Sequence, residues 1–138
     1  MGVMMQTFYW DCPREDGKEF QWWNYIHREI PGLAKAGFTS LWLPPVHKAA
    51  NLFGPSMGYD PYDYYDLGEF DQKGTVPTWF GTRKELDQVI ESAHKHGLSL
   101  IADMVLNHNS GADAQEVNPI TGQSRWTLFN PKSGKFVR

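Results

Sequence analysis

Asp103, Asn107 and His108 close the stretch Ser99-Leu-Ile-Ala-Asp-Met-Val-Leu-Asn-His108. A carboxylate, an amide and an imidazole are hydrogen-bonding groups, and here they follow a short apolar run that reads as a strand buried on both faces, as in parallel sheets. Asp103 lies inside that run, where an unpartnered charge costs several kcal/mol. It is expected to face inward as a structural carboxylate held by a cation or a hydroxyl. Asn107 and His108 fall at the carboxyl end of the strand, the end at which parallel α/β folds carry their sites. Other polar residues read as less informative. His94 and His96 stand two apart on a helix, face different ways, and suit a solvated position near the negative helix end. Asn107, Asn109, Ser110 and Asp113 are rich in oxygen but fit no calcium-loop template. The series Asp63, Asp66, Glu69 and Asp71 reads as the polar rim of a loop. Cys12, the single cysteine, excludes an internal disulfide and reads as a buried or indifferent thiol.

Elements that could position these groups recur along the chain. Thr7-Phe-Tyr-Trp10 favours a first strand, closed by Asp11-Cys-Pro13 and the polar residues Arg14 to Lys18. From Gln21 to Ala36, Trp22, Trp23, Ile26, Ile30, Leu33 and Ala34 keep helical spacing. Pro31 within it predicts a kink or two abutting helices. Gly37 ends the helix, and Phe38-Thr-Ser-Leu-Trp-Leu43 is a second strand stopped by Pro44-Pro45. A long aromatic loop runs from Val46 to about Phe80, long enough to suggest function. Thr82-Arg-Lys-Glu85 is a capping box for a helix with Leu86, Val89, Ile90 and Ala93 on one face, and Gly97 closes it. Lys35-Ala-Gly-Phe-Thr-Ser-Leu repeats weakly, 60 residues on, as Lys95-His-Gly-Leu-Ser-Leu-Ile. Each copy is helix, glycine, strand, which is the unit of a βα array. After Leu106 the composition turns polar, with Trp126 and Phe129 as anchors, and reads as an excursion rather than the next helix of the array.

With 138 residues, 41% hydrophobic and 21% charged, the chain has material for one packed core. A net charge of −3 argues against nucleic acid as partner. No apolar run approaches the ~18 residues of a membrane helix. No signal segment is read ahead of the first strand, which leaves either a cytoplasmic protein or one whose leader has been removed. Of the 20 aromatic residues 17 precede position 81, a concentration that suits stacking surfaces for sugars or a large aromatic core.

The residues also resemble a known family. Asp103-Met-Val-Leu-Asn-His108 is similar to the Asp-x-Val-x-Asn-His signature that ends the third strand in the large α-amylase family of (β/α)₈ glycoside hydrolases. Met57-Gly-Tyr-Asp-Pro-Tyr-Asp-Tyr-Tyr-Asp-Leu-Gly-Glu-Phe70 resembles its second-strand loop, continued by Gln72-Lys-Gly-Thr-Val76 and Phe80-Gly-Thr-Arg-Lys-Glu-Leu86. Met5-Gln-Thr-Phe-Tyr-Trp10 resembles its first strand and Gly37-Phe-Thr-Ser-Leu-Trp-Leu-Pro-Pro45 its second. Five motifs stand in the family's order.

The resemblance implies an α/β chain that is a partial TIM (β/α)₈ barrel. Residues 1–108 would be its first three βα units and residues 109–138 the start of an inserted B domain. It implies hydrolysis of internal α-1,4-glucosidic bonds of starch, glycogen or maltooligosaccharides with retention, by a monomer that requires Ca²⁺ and binds neither nucleic acid nor membrane. Tyr59 corresponds to a tyrosine that stacks under the sugar, His108 to a histidine that hydrogen-bonds it, and Asn107 to a calcium ligand. Packing among Tyr62, Tyr64 and Tyr65 is the other reading of Tyr59, and backbone capping the other reading of Asn107. The family's catalytic Asp, Glu and second Asp follow later strands, and nothing here matches their signatures, so no catalytic residue is assigned and the chain alone is expected to be inactive. A non-catalytic carbohydrate-binding fragment and a same-family α-glucosidase or transglycosylase are the alternatives.

Overall fold

The computed structural model describes residues 2–12, 19–51 and 56–135; the polar loop expected over 14–18 lies outside them. In chain order the elements are β1 (Met4–Gln6), α1 (Trp22–Lys35), β2 (Ser40–Leu43), β3 (Lys48–Ala49), β4 (Pro61–Asp63), α2 (Arg83–Lys95), β5 (Ser99–Ala102), β6 (Ala114–Val117) and β7 (Ser124–Leu128). Strands β1, β2 and β5 form one parallel sheet in that order, each step crossing over through a helix. This is the βα array that the repeat implies. Gly37 and Gly97 stand 60 residues apart, yet the paired strands are offset by 59, with Ser40 opposite Ser99. The second unit uses one residue fewer between its glycine and its strand.

The helices form for the reasons their spacing gives. Trp22, Trp23, Ile26 and Ile30 of α1 are buried against Leu41 and Leu43 of β2 and against Leu86, Val89 and Ala93 of α2. On α2, Thr82 and Glu85 exchange both bonds of the capping box, Thr82 N donating to Glu85 Oε2 at 2.7 Å. The break expected at Pro31 does not occur: α1 is one helix through it. Pro31 and His27 are both exposed, so the bond that Pro31 cannot donate falls on the solvent side, where the cost is lowest. Gly37 and Gly97, at φ +94° and +73°, close the two helices in the left-handed conformation.

Three strand expectations need correction. The first strand lies at Met4–Gln6 rather than Thr7–Trp10. Thr7 still donates its N–H (3.0 Å) and hydroxyl (2.8 Å) to the Trp42 carbonyl, but the chain then leaves the sheet, pairing having overridden β propensity. The strand at Ser99 is four residues long, its ladder ending with Asp103 N donating to Leu43 O at 3.2 Å. Nor is it buried on both faces: β5 is an edge strand bonded to β2 alone, and Ile101 is 47% exposed.

The loop from Val46 to Phe80 folds around a buried ionic cluster. Lys48 Nζ donates to the carbonyls of Thr75, Val76 and Pro77 at 2.7–2.9 Å and lies 3.7 Å from Asp66, both side chains being fully buried. Asp66 accepts from the N–H groups of Gly68 and Glu69, and Gln72 Nε2 bridges Asp66 and Asp63. Asp63 and Asp66 are therefore interior residues and not a solvated rim. Beyond β5, β6 and β7 form an antiparallel hairpin. It is held by Asp113, which accepts from Lys73 Nζ (2.8 Å) and the Tyr62 hydroxyl (2.6 Å), and by Ser133 donating to Asp63.

Candidate functional site

All three parallel strands send a candidate side chain to the same end of the sheet. Trp10 follows β1, Tyr59 lies in the loop after β2, and Asp103, Asn107 and His108 follow β5. Tyr59 owes its place to Gly58, whose φ is +91° and where a Cβ would come within 2.7 Å of Pro45 Cβ. Only glycine lets the chain cross Pro45 this closely and turn the next residue into the site.

Around Tyr59 the groups converge. Its hydroxyl donates to Asp103 Oδ2 at 2.8 Å. Burial, followed by that bond and the carboxylate charge, pushes the phenol up to about 12. The expected hydroxyl partner of Asp103 is thus Tyr59 itself. His108 Nε2 lies 2.9 Å from the Tyr59 carbonyl, which can only accept, so the ring proton sits on Nε2. Nδ1 then faces the Asn107 amide nitrogen at 3.4 Å. Trp10, 69% exposed, lies against Tyr59 with ring centroids 6.0 Å apart and planes 16° from parallel. The two rings make a step of aromatic surface beside the imidazole. Tyr62 packs instead on Phe129 and Tyr64 on His47, so Tyr59's ring partner is Trp10 and not another tyrosine.

Asn107 is exposed beyond the end of β5, its amide nitrogen 3.4 Å from His108 Nδ1. Calcium takes six to eight oxygens. Among the described residues no group of three or more His, Cys, Asp or Glu stands close enough to hold a metal ion.

Sequence reasoning did not single out Trp10 or His47. Trp10 could have been found by the rule that selected Asn107 and His108, since it too follows a parallel strand at its carboxyl end. His47 satisfies the same rule, since it follows β2 at its carboxyl end.

Comparison with known proteins decides what the arrangement belongs to. The profile of the family "Alpha amylase, catalytic domain" matches residues 14–129. The chain belongs to the α-amylase family. It is 44% identical to an α-amylase of Geobacillus stearothermophilus and 40% identical to a glucan 1,4-α-maltohexaosidase of Bacillus sp. (strain 707), each over 94% of its length. It spans about a quarter of those relatives, 25% and 27%. A solved alternansucrase in complex with isomaltononaose superposes with a TM-score of 0.66 at 25% identity, covering 83% of this chain and 10% of that one. As an α-amylase family member the chain is a TIM-barrel fragment, in keeping with its parallel β1-β2-β5 sheet.

Proposed function

We propose that this chain is the amino-terminal part of an α-amylase that hydrolyses internal α-1,4-glucosidic bonds of starch, glycogen and maltooligosaccharides with retention. The observation that carries the reading is the meeting of Tyr59 and His108 at the carboxyl end of the sheet, 2.9 Å apart through the Tyr59 carbonyl. A glucose ring has an apolar face and a rim of hydroxyls. Tyr59 offers a flat apolar surface, with Trp10 beside it, and His108 a hydrogen-bonding edge in place of its long contact with Asn107.

On this reading residues 1–108 are the first three βα units of the barrel and 109–138 open the inserted B domain with the β6–β7 hairpin. A retaining glycosidase sets two carboxyl groups about 5–5.5 Å apart; these and the third family carboxylate come from beyond residue 138. The chain alone therefore hydrolyses no starch, and a purified 1–138 polypeptide should show no turnover above background with or without Ca²⁺. Asn107 would give one oxygen to a structural Ca²⁺ whose other ligands come largely from beyond residue 138, and the ion would supply the positive charge that holds them together. The complete enzyme acts as a monomer on its glucan, without nucleic acid or membrane.

The test is a series in the complete enzyme: Asn107→Ala, His108→Ala and Tyr59→Ala, with melting temperature and kcat/KM followed across a Ca²⁺ titration. Asn107→Ala should make stability steeply dependent on free Ca²⁺, by mass action on the folded state, and recover kcat at saturation. His108→Ala and Tyr59→Ala should leave that dependence alone and lose kcat/KM, each tenfold being about 1.4 kcal/mol of transition-state stabilisation. A calcium-dependent His108→Ala beside a parent-like Asn107→Ala would reverse the two roles.

A further inference from the structure

Beneath Tyr59 lies a histidine that neither sheet pairing nor sugar stacking calls for. His47 is 2% exposed, and its Nε2 stands 3.0 Å from the Gly58 carbonyl. A carbonyl accepts only, so the proton is on Nε2 and Nδ1 is a bare acceptor. Nδ1 is buried with no hydrogen-bond partner. An unpaired buried acceptor carries a free-energy penalty that an apolar ring of similar shape would avoid. What such a ring would lack is the Nε2 donor.

The donor's target is the residue before Tyr59. Gly58 is held at both ends of its peptide, its N–H donating to Ser56 Oγ at 3.0 Å and its carbonyl taken by His47. Ser56 in turn donates to Asp60. The His47 ring meets the Tyr64 ring edge-on, centroids 5.1 Å apart at 63°. The Tyr64 hydroxyl donates to the Val105 carbonyl at 2.5 Å, with the His108 carbonyl at 3.1 Å. The buried His47 and the half-buried Tyr64 together therefore touch both segments of the candidate site, the turn that carries Tyr59 and the segment that carries His108.

We propose that His47 is a positioning residue of the sugar-binding surface: through the Gly58 carbonyl it sets the height and tilt of the Tyr59 ring, and through Tyr64 it ties that setting to His108. The inference rests on the reading of Tyr59 and His108 as sugar contacts. Burial holds the His47 pKa below its ordinary value, although the Gly58 carbonyl and the Asp60 and Asp103 carboxylates pull the other way, and this keeps Nε2–H as its one donor.

The test uses the complete enzyme and separates the donor from the shape. His47→Phe keeps a flat ring and loses the donor; His47→Gln loses the ring but carries an amide N–H that reaches the same carbonyl. KM and kcat on maltooligosaccharides are measured well below the melting temperature of each variant. His47→Phe should lose kcat/KM by about tenfold to a hundredfold, the scale of a small misplacement of a binding group, and His47→Gln should recover most of it. Should His47→Phe fail to fold, His47→Asn, whose amide falls short of Gly58, replaces it with the same expected loss. Parent-like kcat/KM in the donorless variant overturns the proposal, and so does a His47→Gln as impaired as that variant. Tyr59→Ala run alongside tells which reading fails. Loss there without loss at His47→Phe overturns the positioning role alone, whereas a parent-like Tyr59→Ala overturns the sugar surface and the positioning role together.

Discussion

The Tyr59 hydroxyl is committed to Asp103 at 2.8 Å, and the same bond helps push its ionisation to about 12, so the phenol stays a neutral donor over any ordinary pH. Removing the hydroxyl alone should therefore separate stacking from anchoring. In the complete enzyme Tyr59→Phe is expected to keep KM near the parent's, because the ring face is unchanged, while losing about 1–3 kcal/mol of stability as Asp103 gives up its donor. Urea melts alongside steady-state kinetics check both halves. His47 yields a second expectation. Burial first lowers its folded pKa from 6.5, so as pH falls through 6.5 the unfolded chain takes up a proton that the folded chain refuses. Stability then declines until pH reaches the folded value. Melting temperature followed from about pH 8 to about pH 5 should fall more steeply for the parent than for His47→Gln, which lacks the titrating ring. Asp103 could be read from sequence as a carboxylate awaiting a cation or a hydroxyl, because a charge in an apolar run must find a partner. Which hydroxyl was not legible, since Tyr59 lies 44 residues away with no periodic pattern linking them.

At the scale of elements the cluster around Lys48 joins pieces that share no sheet. Its ammonium takes three carbonyls from Thr75 to Pro77 and the Asp66 charge, and Gln72 extends the cluster through Asp63 to Ser133. Breaking one partner of a fully buried pair strands the other charge. Lys48→Met should cost roughly 3–5 kcal/mol, far more than loss of the exposed Arg83 pairs with Asp87 at 2.9 Å and Glu69 at 3.6 Å, which should each fall within about 1 kcal/mol. Denaturant midpoints of Lys48→Met and Arg83→Ala measure the contrast. Both helices and the capping box of α2 were legible because 3.6-residue periodicity and a capping box are local signals that tertiary packing here reinforced. The acidic series was not, because acids in a loop usually lie in water. The informative residue was Lys48 itself, a lone cation between Val46 and Ala49-Ala50 in a stretch otherwise free of charge. A buried lysine requires a buried acid, and the acids of the following loop were the ones within reach.

For the molecule as a whole, the parallel sheet has two open sides. Among the described residues β1 and β5 each bond only to β2, and the residues along and just past β5 are exposed: Ile101 47%, Met104 50% and Leu106 74%. Trp126 on the hairpin is 63% exposed. Apolar surface of this kind beside unpaired strand edges is a template for association. Within a (β/α)₈ barrel the same edges are closed by neighbouring strands, which is why the strand at Ser99 read from sequence as buried on both faces and yet stands here at an edge. The chain taken alone should consequently be a poor folding unit. Expressed as residues 1–138, it is expected to aggregate or to form a loosely packed state. Amide exchange should then be weakly protected throughout, with β5 opening first, since its outer side has no partner and its ladder is four residues long. The helices should gain little protection over the strands, because α1 and α2 bury their faces against β2 and not against a closed sheet. In the complete enzyme the same β5 amides should rank among the slowest to exchange, as a strand paired on both sides opens only with the barrel. A sharp, reversible, two-state melt of monomeric 1–138, with β5 amides protected as well as those of β2, would contradict this and make the fragment an autonomous domain.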